Sequence, residues 1–393
     1  MDYRIKMDPD DFEVVEIPQK IEAVPQGKYT ILKLRLRNWE TNHFIIEFSR
    51  YLGISRKRIT YAGTKDKRAL TTQYFCINAP RIPDKINIRD VEELERFTTS
   101  KIMDLGDLLG NRFTIRVEAD RESLEIADKN LHRFIDGQGF WNYFGIQRFG
   151  QMRRNTHIVG ENLIRNGVES AVKSYLYTPE IDNEDYRKNV GESWDFKRGL
   201  KEFPDHLQFE RALMSEIISG KSYMDVFDSL PRSLRIMFVH AYQSHIFNII
   251  LERRKESGLN PFDVLVGDYV SPVDYLGNIR ESDPIAVTGF NLNKIKAMVQ
   301  EGKVVPLAPL VGLETPVQDG VPGQIVENVL ETMKIKREDF RIGEKPELSS
   351  SGFFRSIGFK PVDALFTSSN VLTFSLGKGI YATTLLDQIF SSD

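Results

Sequence analysis

The stretch TYAGTKDKRALTTQ (residues 60–73) places one acid, Asp66, between Lys65 and Lys67, with Arg68 following. Two chemistries fit it. The charges can pair off on a solvated turn, or the carboxylate can be a catalytic group in a site built for an anionic polymer. A second stretch, GQGFWNYFGIQRFGQMRR (137–154), is dense in glycine, aromatic and basic residues. Its aromatic side chains fit an ordinary core. They also fit a platform that stacks an extruded base while arginines hold the backbone.

The charge distribution narrows the choice. Residues 28–68 hold eleven Lys or Arg against three acids, although the whole chain of 393 residues carries a formal charge of −3. A surface that binds polyanions everywhere is thus excluded, and a nucleic-acid site has to be a local stripe.

The elements around the two stretches follow from periodicity. YTILKLRLR (29–37) alternates as a strand with one wet face, and TNHFIIEFSRYLG (41–53) sets Phe44, Ile45, Phe48 and Leu52 on one helical face opened by Thr41 and stopped by Gly53. RITYAG and TTQYFCI are short β-rich runs, which places Asp66 on a connection between strands. NRFTIRVE (111–118) predicts another strand and 120–134 a helix. Beyond residue 158 the chain turns to charged helices and an acidic run at 180–185. A long helix is predicted from Pro231 to about Ser257, then hairpin strands over 262–288 around Gly277-Asn278. The stretch GEKPELSSSG (343–352) reads as a linker, followed by three strands (353–359, 362–367, 371–376) and a closing helix from Tyr381 to Phe390. The whole is α+β, with two sheet-forming ends around a mixed middle.

Several chemistries lose support. Cys76 is the only cysteine, so there is no disulfide framework, no thiolate zinc site and no zinc nucleobase deaminase. The phosphate-binding, dinucleotide-binding, zinc-protease and α/β-hydrolase motifs are absent. The six histidines (43, 132, 157, 206, 240, 245) are scattered, and ordinary core or surface roles suffice for them. The charged start and the lack of a run of about 18 apolar residues predict a soluble, cytoplasmic protein.

At this level of detail the residues resemble a family. AGTKDKRALTTQ is similar to the Ala-Gly-x-Lys-Asp-Lys-x-Ala-x-Thr-x-Gln signature of the TruD family of tRNA pseudouridine synthases, and NYFGIQRFG (142–150) resembles its second signature. KMDPDDF (6–12), GNRFTI, YQSHIFNIILERR and the closing LTFSLGKGIYATTLLDQIF resemble further family segments in the expected order. Asp10 stands where the family usually has Glu, Trp141 where Pro often stands, and Gly377 and Ile380 where it has Pro and Ser.

The resemblance implies isomerisation of uridine to pseudouridine in tRNA, at position 13, with no cofactor and no metal. Asp66 matches the catalytic aspartate, which would act on a flipped-out uridine. An ionised carboxylate can attack a carbon, abstract a sugar proton or stabilise positive character at C1′. Lys6 is the expected ion-pair partner of Asp66, with Lys65 the other candidate. Asn142 would hold the loop or hydrogen-bond near the aspartate, and Phe144 would stack on the base. Lys65, Lys67, Arg68, Arg148, Arg153 and Arg154 are the expected RNA-binding cations. The implied fold is a catalytic domain with a mixed, largely antiparallel sheet (1–158 and 345–393) and an inserted α/β domain (159–344). Two other functions stay open at this point: a catalytically silent RNA-binding module, and a carboxylate-dependent nucleosidase or RNA hydrolase.

Overall fold

The computed structural model describes residues 2–65, 67–150, 152–280 and 284–391. Two compact units emerge, one formed by 1–140, 273–280 and 359–393, the other by 141–272 and 281–358. Residues 141–158 and 345–358, expected in the catalytic domain, thus pack with the inserted unit. Residues 273–280, expected in the insertion, pack with the first unit.

In the first unit, β1 (Phe12–Pro18) buries Phe12 and Val14, and β2 (Tyr29–Arg37) buries Leu32, Leu34 and Leu36 on one face while Lys33, Arg35 and Arg37 stay half-exposed. That leucine row packs on Phe44 and Phe48 of α1 (Thr41–Leu52), which Gly53 ends in a left-handed turn. Glu40, rather than Thr41, caps this helix, its carboxylate accepting the Asn42 and His43 N–H groups at 3.0 and 2.8 Å. The Thr41 hydroxyl is left for another task.

The sheet continues through β3 (Ile59–Tyr61), β4 (Leu70–Ile77), β5 (Val91–Thr99) and β6 (Leu108–Arg116), with α2 (Arg121–Arg133) after it. The chain leaves this unit in β7 (Phe140–Trp141).

The second unit begins with six helices: α3 (Thr156–Leu176), α4 (Asp185–Ser193), α5 (Phe196–Glu202), α6 (Gln208–Ile218), α7 (Tyr223–Asp228) and the 25-residue α8 (Arg232–Glu256). A smaller antiparallel sheet follows, in the order β11-β10-β8-β9, from β8 (Tyr269–Pro272), β9 (Ile285–Ala286), β10 (Val304–Leu310) and β11 (Phe353–Ser356), with α9 (Leu292–Gln300) and α10 (Gly320–Met333) between strands.

The chain returns through β12 (Gly358–Phe359) to β13 (Val362–Phe366), β14 (Val371–Gly377) and α11 (Ala382–Ile389). The eight-stranded sheet is ordered β13-β14-β6-β1-β4-β2-β5, with β3 also on β4. Only the β1–β4 pair is parallel, so the sheet is mixed and largely antiparallel as predicted. β4 touches β1, β2 and β3, and the Asp66 connection feeds straight into it.

Gly377 has a local reason. A Cβ there would lie 2.7 Å from both Asn278 Oδ1 and Leu276 O, because Asn278 bridges the sheet by donating to Leu109 O (2.7 Å) and accepting from the Lys378 N–H (2.9 Å). Among the described residues no helix is long and apolar enough to cross a membrane.

Candidate active site

Asp66 itself lies outside the described residues. The residues on both sides of it are fixed by the first unit. The Ala62 carbonyl accepts the Gly106 N–H at 2.7 Å, and the Gly63 carbonyl accepts from Gln73 Nε2 at 2.9 Å. The Lys65 N–H donates to Thr41 Oγ1 at 2.8 Å, while the Thr41 N–H donates back to the Lys65 carbonyl at 3.3 Å. Thr41 therefore braces this loop rather than its own helix. On the far side the Ala69 N–H donates to the Lys67 carbonyl at 2.9 Å, and the Ala69 carbonyl accepts the Asn38 N–H at 3.0 Å. Gln73 is fully buried, and this explains why a glutamine closes the stretch: its amide spans back to Gly63 across the loop it must hold.

Lys65 is not an RNA-facing cation here. Its ammonium donates to Glu16 Oε1 at 2.6 Å, with side chains only 8% and 1% exposed. The other Glu16 oxygen accepts the Tyr74 N–H at 3.0 Å, so the carboxylate is saturated on both sides. Gly63 passes so close that a Cβ would lie 3.2 Å from Glu16 Oε1 and 3.3 Å from Lys65 Nζ. Glu16 was missed in the sequence, though a signal existed. It shares the inward face of β1 with Phe12 and Val14, and a carboxylate on an apolar face needs a buried partner.

The remaining cations of the basic window divide in three. Lys28 and Lys33 lie 5.1 and 5.5 Å from the Tyr29 and Tyr74 ring centroids. Arg35 pairs with Glu92, Arg37 with Asp8 and Asp10, and Arg50 with Glu47. Arg56, Lys57, Arg58, Lys67 and Arg68 are exposed and have no carboxylate partner among the described residues. With the exposed Lys28 they form the part of the basic window available to a polyanion.

Lys6 has a left-handed backbone, φ 62°, which costs a non-glycine residue about 1–2 kcal/mol. Its ammonium lies 4.2 Å from the centroid of the Phe12 ring. The segment is held on both sides: Arg4 and Glu118 exchange backbone hydrogen bonds of 2.8 and 3.0 Å, and Arg37 grips Asp8 (2.7 Å) and Asp10 (3.0 Å). Strain that the surroundings over-determine collects at functional positions.

From Trp141 onward the second stretch belongs to the other unit. Asn142 is buried, and its amide is consumed: Nδ2 donates to Ser356 Oγ at 2.7 Å, and Oδ1 accepts from Arg355 Nη2 at 2.6 Å. Of the two roles expected for Asn142, this geometry serves the holding of the loop. The Phe144 backbone is clamped by one side chain, Asn248, which accepts its N–H at 2.9 Å and donates to its carbonyl at 3.0 Å. The Phe144 ring meets the edge of Phe247, with centroids 5.6 Å apart, and the guanidinium carbons of Arg355 and Arg148 lie 4.1 and 5.4 Å from its centroid. Arg148 also donates to Ser244 Oγ at 3.0 Å.

Arg153, expected to meet RNA, is instead spent inside the unit. It forks onto Asp182 at 2.8 and 2.6 Å and donates to Tyr175 O at 2.6 Å. Asp182 is 1% exposed, so the pair is a packing element beside the buried Arg187–Glu210 pair. Arg154, one residue on, is exposed.

Histidines that looked ordinary gather around this stretch. His157, at the start of α3, lies ring to ring with His245 of α8 at 4.6 Å, with Phe149 edge-on to both. Burial, with His245 alongside, pushes His157 down to about 4. Burial lowers His245 too, against an opposing pull from Glu161, and burial and Arg148 lower His240. The unfolded chain takes up a proton at His157 near pH 6.5 that the folded chain refuses until about pH 4. Stability held above pH 6.5 is thus lost as pH falls between those values, at up to about 1.4 kcal/mol per pH unit for this one group. His157→Gln should flatten the decline in urea midpoint between pH 7 and 4.5; an unchanged slope would show that the buried imidazole is not its source.

Residues 1–389 match the family model described as tRNA pseudouridine synthase D (TruD). The chain is 43% identical over 386 residues to a protein of Picrophilus torridus and 44% identical over 388 residues to one of Thermoplasma volcanium, both named "Probable tRNA pseudouridine synthase D". Each alignment covers 98% of this chain and 93% of the relative. A crystal structure from Methanosarcina mazei, named for tRNA pseudouridine synthase D (TruD), superposes with a TM-score of 0.81 at 36% identity, covering 98% of this chain and 93% of the other.

Proposed function

The chain belongs to the tRNA pseudouridine synthase D (TruD) family, and from that premise we propose that it isomerises the uridine at position 13 of tRNA with Asp66 as its catalytic carboxylate. Conversion of uridine to pseudouridine in tRNA is the activity of the family, which makes the chain an isomerase. The position, the residue and the handling of the base are our reading.

The observation that carries it is the way Asp66 is bracketed. Thr41 of α1 holds Lys65, Gln73 of β4 holds Gly63 and Asn38, the residue after β2, holds Ala69, which is the rigid support a reacting group requires. Charge around a solvated turn needs no such frame. Lys65 is occupied by Glu16, and this favours Lys6 as the cation that meets Asp66.

The reaction is balanced within the substrate. The C1′–N1 bond breaks, the uracil turns, a C1′–C5 bond forms, and the proton lost from C5 is matched by one gained at N1. The target base has to leave its stack at a cost of a few kcal/mol, offset by aromatic and backbone contacts. Phe144 is the aromatic for the base, and Lys67, Arg68, Arg148 and Arg154 are the cations for the phosphates.

The test is an assay of the purified chain on an unmodified tRNA transcript. Pseudouridine at position 13, an intact RNA and no free uracil are expected. Free uracil or cleaved RNA would replace the isomerase by a nucleosidase or hydrolase, and tight binding with unchanged RNA would leave a silent RNA-binding module.

A further inference from the structure

We propose that Arg355 is a positioning residue for this reaction, fixing the plane of the Phe144 ring and, through Asn142, the loop that carries it. The proposal rests on the reading of Phe144 as the residue that stacks on the target uracil.

Arg355 sits on β11, where Ala308 of β10 faces it in the antiparallel register, so its backbone belongs to a sheet and not to a loop. From there one guanidinium does three things. Its carbon lies 4.1 Å from the Phe144 centroid, Nη2 donates to Asn142 Oδ1 at 2.6 Å, and Nε donates to the Asn142 carbonyl at 3.3 Å. Asn142 is pinned in turn to the next residue of the same strand, donating to Ser356 Oγ at 2.7 Å, while its backbone N–H reaches the Ile357 carbonyl at 2.8 Å.

The two ends of the Asn142–Phe144 tripeptide are therefore fixed by different devices. Asn248 sets the backbone of Phe144, and Phe247 meets its ring edge-on. Two guanidinium carbons lie over the ring, Arg148 at 5.4 Å and Arg355 nearer at 4.1 Å. The nearer one is tied by two hydrogen bonds to the residue two places earlier. A flat, forked cation can meet both demands at once; an ammonium cannot. A base stacking on a tilted ring would present C1′ and C5 in the wrong place, and small misplacements of reacting atoms cost about 10²-fold in rate.

The experiment is a double-mutant cycle read under single-turnover conditions, with tRNA affinity measured in parallel. Arg355→Lys and Arg355→Met should each lower the rate of pseudouridine formation by roughly 10- to 100-fold with tRNA affinity unchanged. Phe144→Ala should lower it at least as far. The double variant Phe144→Ala with Arg355→Met should be no slower than Phe144→Ala alone, because the arginine acts through the ring.

Losses that multiply in the double variant would overturn the proposal, since Arg355 would then act independently of Phe144. A wild-type rate for Arg355→Lys beside a slow Phe144→Ala would overturn it while leaving the role of Phe144 intact. A wild-type rate for Phe144→Ala would remove the stacking role first, and this inference with it. A fall in tRNA affinity matching the fall in rate would make Arg355 a substrate contact, again against the proposal.

Discussion

Asp66→Asn is expected to lower the single-turnover rate of pseudouridine formation by roughly 10⁴-fold or more, with tRNA affinity retained or slightly improved. The substitution keeps shape and removes charge. An amide cannot attack carbon as a nucleophile, take a sugar proton, or stabilise positive character at C1′, so whichever route the carboxylate follows is closed. The loop should survive the change, because its support comes from neighbours: Thr41 on Lys65, Gln73 on Gly63, Asn38 on Ala69. Removing a negative charge beside Lys67 and Arg68 also lessens repulsion of phosphate, hence the sign expected for affinity. A loss of about 10⁴-fold corresponds to about 5.4 kcal/mol of transition-state stabilisation. Pseudouridine formed by Asp66→Asn at the wild-type rate would show that the reaction is carried by some other group.

How far the molecule can be read from its sequence depends on what each element buries. β2 and α1 were plain, because one face of each is apolar at period 2 or 3.6 and the other is wet. β5, VEELERFTT, carries no such signal: it is an edge strand whose acids face solvent or pair sideways, as Glu92 does with Arg35. β10, VVPLAPL, is concealed for the opposite reason. It is buried along nearly all its length and contains two prolines, which argue against a central strand from sequence alone.

The site divides in the same way. Lys65 and Lys67 are the same residue type two positions apart, yet one lies inside against Glu16 and the other lies outside. Arg153 and Arg154 differ likewise. Local composition counts charges without their partners, and those partners, Glu16 and Asp182, lie 49 and 29 residues away. Arg355 escaped notice for a related reason: a single arginine in a short strand says nothing until Asn142 and Phe144 are beside it.

The buried Lys65–Glu16 pair leads to the second large expected effect. Lys65→Met should destabilise the protein by about 3–5 kcal/mol, measured by urea unfolding at neutral pH, because Glu16 would be left 1% exposed and without its counterion. Its bond from the Tyr74 N–H offsets only part of that desolvation. Adding Glu16→Gln should restore most of the loss, since no buried charge then remains and the amide oxygen can still accept from Tyr74. The effect on RNA runs the other way from what a basic loop suggests. Lys65→Met should leave the salt dependence of tRNA binding unchanged, whereas Lys67→Ala and Arg68→Ala should each reduce its slope by about 0.7–0.9 if each meets one phosphate. A Lys65→Met protein of unchanged stability and reduced salt slope would place the lysine on the RNA and leave Glu16 to some other cation. With stability lost and slope kept, Lys65 is the post that holds the Asp66 loop to β1, and the cations beyond it do the binding.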